Sequence, residues 1–68
     1  MKLCETLVFL RKKNYYQQED VADMLKISRV AYSHYETGRR TPTANVLVQL
    51  SKIYHVSIDY LLDANRGE

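Results

Sequence analysis

Residues 18–42 read QEDVADMLKISRVAYSHYETGRRTP, and their apolar positions are spaced as in two short helices joined by a tight turn. Val21 and Leu25 belong to one face of the first helix, and Ile27 fills the turn. The second helix has a buried stripe of its own, and Gly38 is its expected left-handed end. The opposite side of the second helix is polar and rich in hydrogen-bond donors, which suits insertion into a DNA groove.

Outward from this stretch, the pattern predicts three further helices and no strand. The five predicted helices cover residues 3–13, 18–25, 29–37, 44–54 and a short segment after residue 57. Ser28, Thr43 and Ser57 are the expected N-caps of the last three, and the last helix is expected to bury Ile58, Leu61 and Leu62. The sequence therefore predicts one compact all-α domain, with a core over about residues 3–63 and a frayed tail over residues 64–68.

Length and composition narrow the possible functions. A chain of 68 residues buries only about 60% of its extended surface, which leaves little room for a catalytic cleft or a ligand cavity. The single cysteine, Cys4, excludes an internal disulfide framework and a cysteine-rich zinc site. His34 and His55 lack paired carboxylate or cysteine neighbours, so we expect no enzyme, metal site, cofactor or small-molecule ligand. No secretory signal and no membrane-length apolar run is visible, and we expect a cytoplasmic protein.

The net charge of +2 is small, but its placement is informative. Between residues 26 and 43 a single acid, Glu36, accompanies four basic residues, Lys26, Arg29, Arg39 and Arg40. The end of the chain is acidic instead. Positive charge thus accumulates where the polar helix face is predicted, as in a nucleic-acid-binding surface. An ordinary solvated face would show a similar excess, so the charge counts only together with the motif.

The ordered motifs closely resemble the phage-repressor and Cro type of helix-turn-helix domain, the XRE-like family. The resemblance covers roughly residues 7–62. Its motifs in chain order are Leu10-Arg11, Gln18-Glu19-Asp20-Val21-Ala22, Ile27-Ser28-Arg29, Glu36-Thr37-Gly38, Pro42-Thr43 and residues 56–62. The resemblance implies a lambda-repressor-like fold of five helices, with the helix-turn-helix formed by helices 2 and 3. It also implies an internal salt bridge between Arg11 and Glu36, whose role is architectural.

The sequence departs from the family pattern at several positions. Lys26 stands where glycine is usual in the turn, so a left-handed lysine is expected there, and Tyr15 replaces the glycine common after helix 1. Gln17 is a poorer cap for helix 2 than serine or threonine. Tyr32 and Tyr35 replace an aliphatic pair in helix 3, and because buried hydroxyls need partners, one or both are expected to reach the surface.

The docking geometry of this motif assigns candidate DNA contacts. The candidate base contacts are Ser28, Arg29, Val30, Ser33 and His34, of which His34 could contact a phosphate instead. The candidate phosphate contacts are Gln18, Lys26, Arg39, Arg40 and Thr43. Arg29 is the strongest candidate, because a guanidinium can bond guanine O6 and N7 together. A phosphate contact without base preference is the alternative for Arg29.

The predicted function is that of a sequence-specific double-stranded DNA-binding transcriptional regulator. We expect a repressor that acts by operator occlusion, as a homodimer through helices 4 and 5 on a palindromic site. The alternative is a helical protein-interaction module, such as an antitoxin or adaptor, since fold does not decide function. An exposed apolar patch would favour that alternative, and Phe9, Val46, Ile53 and Tyr60 could supply one.

Overall fold

A computed structural model of the protein describes residues 2–66, and the side-chain environments of residues 2–62. The described residues form five helices and no strand, which confirms the predicted fold class. The helices are α1 (Leu3–Lys13), α2 (Gln18–Leu25), α3 (Arg29–Thr37), α4 (Ala44–Tyr54) and α5 (Ile58–Arg66). Helix α1 packs against α3 and α5, α2 packs against α3 and α4, and α4 also contacts α5.

Three helices begin at a hydroxyl side chain that accepts a hydrogen bond from a backbone N–H three residues later. The donor–acceptor distances are 3.0 Å at Ser28, 3.3 Å at Thr43 and 2.9 Å at Ser57. These bonds satisfy backbone donors that have no partner within the helix, and they confirm the three predicted caps. Helix α2 begins differently, because the Asp20 carboxylate accepts from the Gln17 N–H at 2.7 Å.

Four residues after helix ends have a left-handed backbone. Gly38 has φ = 81°, as its position after α3 predicts. Tyr15, Lys26 and His55 have φ values of 61°, 60° and 58°, although none is glycine. A left-handed conformation costs an L-residue roughly 1–2 kcal/mol. The turn of the helix-turn-helix, at Lys26, therefore carries backbone strain that a glycine would not.

The core lies where the five helices meet. It is formed by the buried residues Leu3, Leu7, Leu10, Val21, Ala22, Leu25, Tyr32, Tyr35, Leu50, Tyr54 and Leu61. Ala22 is buried on α2. Because α2 and α3 pack directly together, a side chain larger than alanine there would push the helices apart. Ile27, in the turn, is half-buried against this core.

The expectation that one or both of Tyr32 and Tyr35 reach the surface does not hold for Tyr32, which is fully buried. Tyr35 is only 8% exposed but lines an open pocket between α1 and the segment after α3. The Tyr32 hydroxyl lies 2.9 Å from the hydroxyl of Tyr54 on α4, so each supplies the other's hydrogen-bond partner. The Tyr32 and Tyr35 rings pack edge to face with centroids 6.4 Å apart. The two tyrosine rings that replace the aliphatic pair of the family pattern in α3 therefore pack within the core.

Helix α5 differs from its predicted form in two respects. Leu61 is buried and Ile58 is half-buried, but Leu62, which the sequence also favoured for the core, is 47% exposed. The helix continues through Arg66, so residues 64–66 are helical rather than part of a tail. Residues 67 and 68 of the predicted tail lie outside the described residues.

Candidate nucleic-acid interface

Helix α3 has a buried side and an accessible side. Tyr32, Tyr35 and Glu36 are buried, whereas all five candidate base-contact residues are exposed or half-buried. Ser28, Arg29 and Val30 at the start of the helix are exposed, and Ser33 and His34 one turn later are half-buried. The structure thus places these five residues outside the core along α3 and its cap, and the most exposed of them are in its first turn.

The hydroxyl of Ser28 is already used by the fold. Its Oγ accepts the Ala31 N–H at 3.0 Å, which leaves the hydroxyl hydrogen free to donate. His34 also has a local role, because its carbonyl accepts the Arg40 N–H at 3.2 Å and holds the loop after α3 against the helix. Both residues can therefore contact DNA only with groups that these bonds do not use.

An ion pair connects the end of α3 to α1. Arg11 Nε donates to Glu36 Oε2 at 2.6 Å and Arg11 Nη2 donates to Oε1 at 3.1 Å, a bidentate arrangement. Arg11 Nη1 also donates to the Tyr16 carbonyl at 3.0 Å. The Glu36 side chain is only 3% exposed. The salt bridge that the family resemblance implied is thus present, with its carboxylate buried.

The surroundings of this pair favour its charged form. Burial opposes ionisation of Glu36, but hydrogen bonds from Arg11 and Gln18 outweigh burial and lower the pKa of the carboxyl. The hydrogen bonds to Glu36 likewise raise the pKa of Arg11 against the effect of burial. Both groups are therefore charged at neutral pH.

A polar chain leads from this pair through Gln18, which the family resemblance implied would brace α3, to the start of α3. Gln18 Nε2 donates to Glu36 Oε1 at 3.0 Å. Arg29 Nη1 in turn faces Gln18 Oε1 at a long 3.4 Å, in an exposed contact. Arg11, Gln18 and Arg29 line an open cleft at the start of α2. The residues of this chain lie 11 to 25 positions apart, so no local pattern could have indicated them.

The five candidate phosphate contacts lie on segments before and after α3. Gln18 is the first residue of α2, and exposed Lys26 is in the turn between α2 and α3. Arg39, Arg40 and Thr43 are exposed in the connection between α3 and α4. Among the side chains that the structure describes, the three basic residues form no ion pair. Their charges are therefore available to a polyanion.

The part of the chain that the structure describes holds neither a candidate metal site nor a membrane-spanning helix. Within it, no three histidine, cysteine or acidic side chains are grouped so that they could hold a metal ion. None of the described helices has the length and apolar character needed to cross a membrane.

Comparison with known proteins identifies similar sequences. The model of the helix-turn-helix family matches residues 9–61. The uncharacterized HTH-type transcriptional regulator YqaE of Bacillus subtilis is 42% identical over 64 residues, which cover 94% of this chain and 55% of that protein. The HTH-type transcriptional regulator ImmR of B. subtilis is 40% identical over 62 residues, 91% of this chain and 49% of that protein. The chain thus spans about half the length of these relatives.

A solved structure also matches along nearly the whole chain. It is the P22 c2 repressor protein in complex with a synthetic operator, with a TM-score of 0.87 and 33% sequence identity. The match covers 94% of this chain and 97% of the repressor chain. The arrangement of the five helices is therefore that of a repressor domain solved on DNA.

Proposed function

The chain belongs to the helix-turn-helix family, and on that basis we propose that it is a sequence-specific, double-stranded DNA-binding transcriptional regulator. In this proposal it acts in the cytoplasm without catalysing a reaction. It binds as a homodimer to a palindromic operator and represses by occluding it. The match to a repressor domain in complex with its operator supports the DNA-binding part.

The accessible side of α3 is the observation that carries the proposal. Tyr32 and Tyr35 fix the back of the helix in the core, so the front is presented on a rigid element. Arg29, in its first turn, is exposed and can reach a base edge in the major groove. Val30, which is 55% exposed, is apolar and suits contact with a thymine methyl. Ser33 and His34 add donors one turn further along.

The segments that flank α3 would position the domain on the DNA backbone. Among the side chains within residues 2–62, Lys26, Arg39 and Arg40 have no ion-pair partner, and Thr43 lies at the start of α4. Gln18 is the first residue of α2, and the N-terminus of a helix suits a bound anion such as a phosphate. Contacts of this kind give affinity and register but do not read sequence. In this proposal α3 contacts the bases, and the segments that flank α3 contact the phosphates and position the domain.

A dimer would use the surface of α4 and α5. Val48 on α4 and Tyr60 and Leu62 on α5 are large apolar residues that are 37%, 43% and 47% exposed. Two copies joined there would place two α3 helices on half-sites about one helical turn, roughly 34 Å, apart. Small-angle scattering at high concentration, with and without operator DNA, tests this. A monomer under both conditions would contradict the dimer.

The binding proposal is tested by selecting duplexes from a random pool and measuring affinity by fluorescence anisotropy across a salt series. We expect enrichment of one motif and affinity that falls steeply with salt. Arg29→Ala should relax preference at one base pair, at a cost of about 1–3 kcal/mol of discrimination. Lys12→Ala, at an exposed basic residue of α1, is the control and should leave base preference unchanged.

Failure of the selection would favour the other predicted class, a protein-interaction module. Phe9 is 48% exposed on α1, which gives such a module a small apolar contact outside α3. No enriched motif, together with weak binding that does not depend on Arg29, would contradict the DNA-binding proposal.

A further inference from the structure

We propose that Glu36 is a positioning residue for base reading, which sets the direction of the Gln18 side-chain amide so that its oxygen faces Arg29. The hydrogen-bond geometry carries the positioning itself. Its consequence for DNA rests on the function proposed above. Glu36 is buried near the end of α3, whereas Arg29 is its exposed first residue, so the effect extends along α3 through a residue of α2.

The Glu36 carboxylate is fixed in place. Arg11 holds both of its oxygens, with donor–acceptor distances of 2.6 Å and 3.1 Å, and the side chain is almost wholly enclosed. A bidentate guanidinium–carboxylate pair fixes the carboxylate plane as well as its position. The acceptor that Oε1 presents to Gln18 is therefore rigid, with an N···O distance of 3.0 Å.

This acceptor determines which way the Gln18 amide is oriented. An ionised carboxylate only accepts hydrogen bonds, so the Gln18 amide must turn its nitrogen toward Glu36. Its oxygen then points outward. The reversed amide would place an oxygen against the carboxylate and an NH₂ group against the guanidinium of Arg29. Both contacts would be repulsive, so only one orientation is compatible with both neighbours.

Arg29 needs the oxygen that this orientation supplies. A guanidinium only donates, and Arg29 Nη1 faces Gln18 Oε1 at 3.4 Å. Because the contact is long and exposed, it restrains the side chain without locking it, and Arg29 can transfer a donor to a base edge. A restrained arginine loses less conformational freedom on binding than a free one. Glu36 thus contributes to discrimination without touching DNA.

Nuclear magnetic resonance of the DNA-free protein tests the positioning step. We expect Glu36→Gln to shift the Gln18 side-chain amide resonances and the guanidinium resonances of Arg29, because a neutral amide no longer enforces one orientation. Gln18→Ala should also shift the Arg29 signals. Asp23→Asn, the same change of acid to amide at an exposed position of α2, is the control. Unchanged Arg29 signals in both Glu36→Gln and Gln18→Ala would overturn the proposal.

Equilibrium binding tests the consequence for discrimination. The readout is the affinity ratio between the selected site and the same site altered at the base pair that Arg29→Ala identifies. Gln18→Ala and Glu36→Gln should each lower this ratio by about threefold to tenfold, a fraction of one bidentate contact. The double variant should lower it no further than Gln18→Ala alone, because Glu36 acts through Gln18.

Three outcomes separate the possibilities. An unchanged ratio in Gln18→Ala, which keeps the Arg11–Glu36 pair and hence the fold, overturns the proposal even if Glu36→Gln unfolds. Additive losses in the double variant overturn it as well, because Glu36 would then act by another route. If the wild-type protein selects no site, the proposed function fails, and the resonances of the free protein still decide whether Glu36 orients Gln18.

Discussion

Replacement of Arg11 by methionine is expected to destabilise the domain severely. The change removes three donors, two to Glu36 and one to the Tyr16 carbonyl, and leaves a carboxylate with 3% side-chain exposure bonded to Gln18. Loss of one partner from a buried ion pair costs about 3–5 kcal/mol. A 68-residue domain has a total stability of roughly 3–10 kcal/mol, so this loss is a large part of the whole.

Urea unfolding followed by circular dichroism measures this effect as a fall in midpoint at constant slope. The double variant Arg11→Met/Glu36→Met strands no charge and should recover most of the loss. Lys12→Met, at the exposed neighbour of Arg11, is the matched control and should change stability by less than about 0.5 kcal/mol. The reasoning is refuted if Arg11→Met costs under about 1 kcal/mol, or if the double variant is less stable than the single one.

Three further changes test other parts of the structure. Lys26→Gly should raise the melting temperature by a few degrees, because φ = 60° costs lysine about 1 kcal/mol and costs glycine little; scanning calorimetry measures the shift. Tyr32→Phe should cost about 1–3 kcal/mol in urea unfolding, because it strands the Tyr54 hydroxyl, and Tyr32→Phe/Tyr54→Phe should recover part of that loss. The lowered pKa of Glu36 stabilises the fold at pH values above the pKa of the carboxyl in the unfolded chain, about 4.3. This contribution is lost as pH falls through the pKa in the folded protein. The difference in free energy of unfolding between wild type and Glu36→Gln should therefore shrink below about pH 4.

Each of these expectations has an opposing result. A lower melting temperature for Lys26→Gly would mean that the lysine side chain stabilises the turn by more than its backbone strain costs. A double phenylalanine variant no more stable than Tyr32→Phe would mean that the hydroxyl pair is not the source of the loss. A constant difference between wild type and Glu36→Gln down to pH 2 would contradict a carboxylate that is ionised in the fold.

Local signals in the sequence were enough to predict the helices. Ser28, Thr43 and Ser57 act as caps through bonds that span three residues, and Gly38 ends α3 through its own backbone preference. These interactions depend on neighbours in the chain, so the order of residue types reveals them. The left-handed Lys26 was predicted from the family resemblance instead, because glycine is usual at that position of the turn.

Interactions between distant residues were not predictable without the family resemblance. The Tyr32 and Tyr54 hydroxyls meet across 22 residues and Gln18 meets Glu36 across 18, and neither pair has a periodicity that would reveal it. The buried Tyr32 hydroxyl does have a partner, as expected, but the sequence did not say that the partner is another tyrosine. Leu62 was misplaced because helical periodicity assigns a face approximately, and a short helix offers few residues to define it.

The set of residues in the candidate site stays a prediction, and their arrangement was not predictable from the sequence. The docking geometry of the motif identified the accessible side of α3, and the structure places those five residues outside the core. Which of their polar groups are already bonded depends on tertiary contacts. The Ser28 cap and the link from Arg29 to Gln18 are examples, and both limit what these side chains offer to DNA.

The paired tyrosines also give the protein an optical signal of its own. The chain contains six tyrosines, one phenylalanine and no tryptophan, so tyrosine dominates its near-ultraviolet spectrum. Burial raises the pKa of Tyr54 to about 12 and also raises that of Tyr32, whereas Tyr15 is 93% exposed to solvent. The absorbance of ionised tyrosine in an alkaline titration therefore contains a late component from the interior. The absorbance of this component reports the opening of the core without a dye, a label or an engineered chromophore, and the pH at which it appears is the pH at which the core opens.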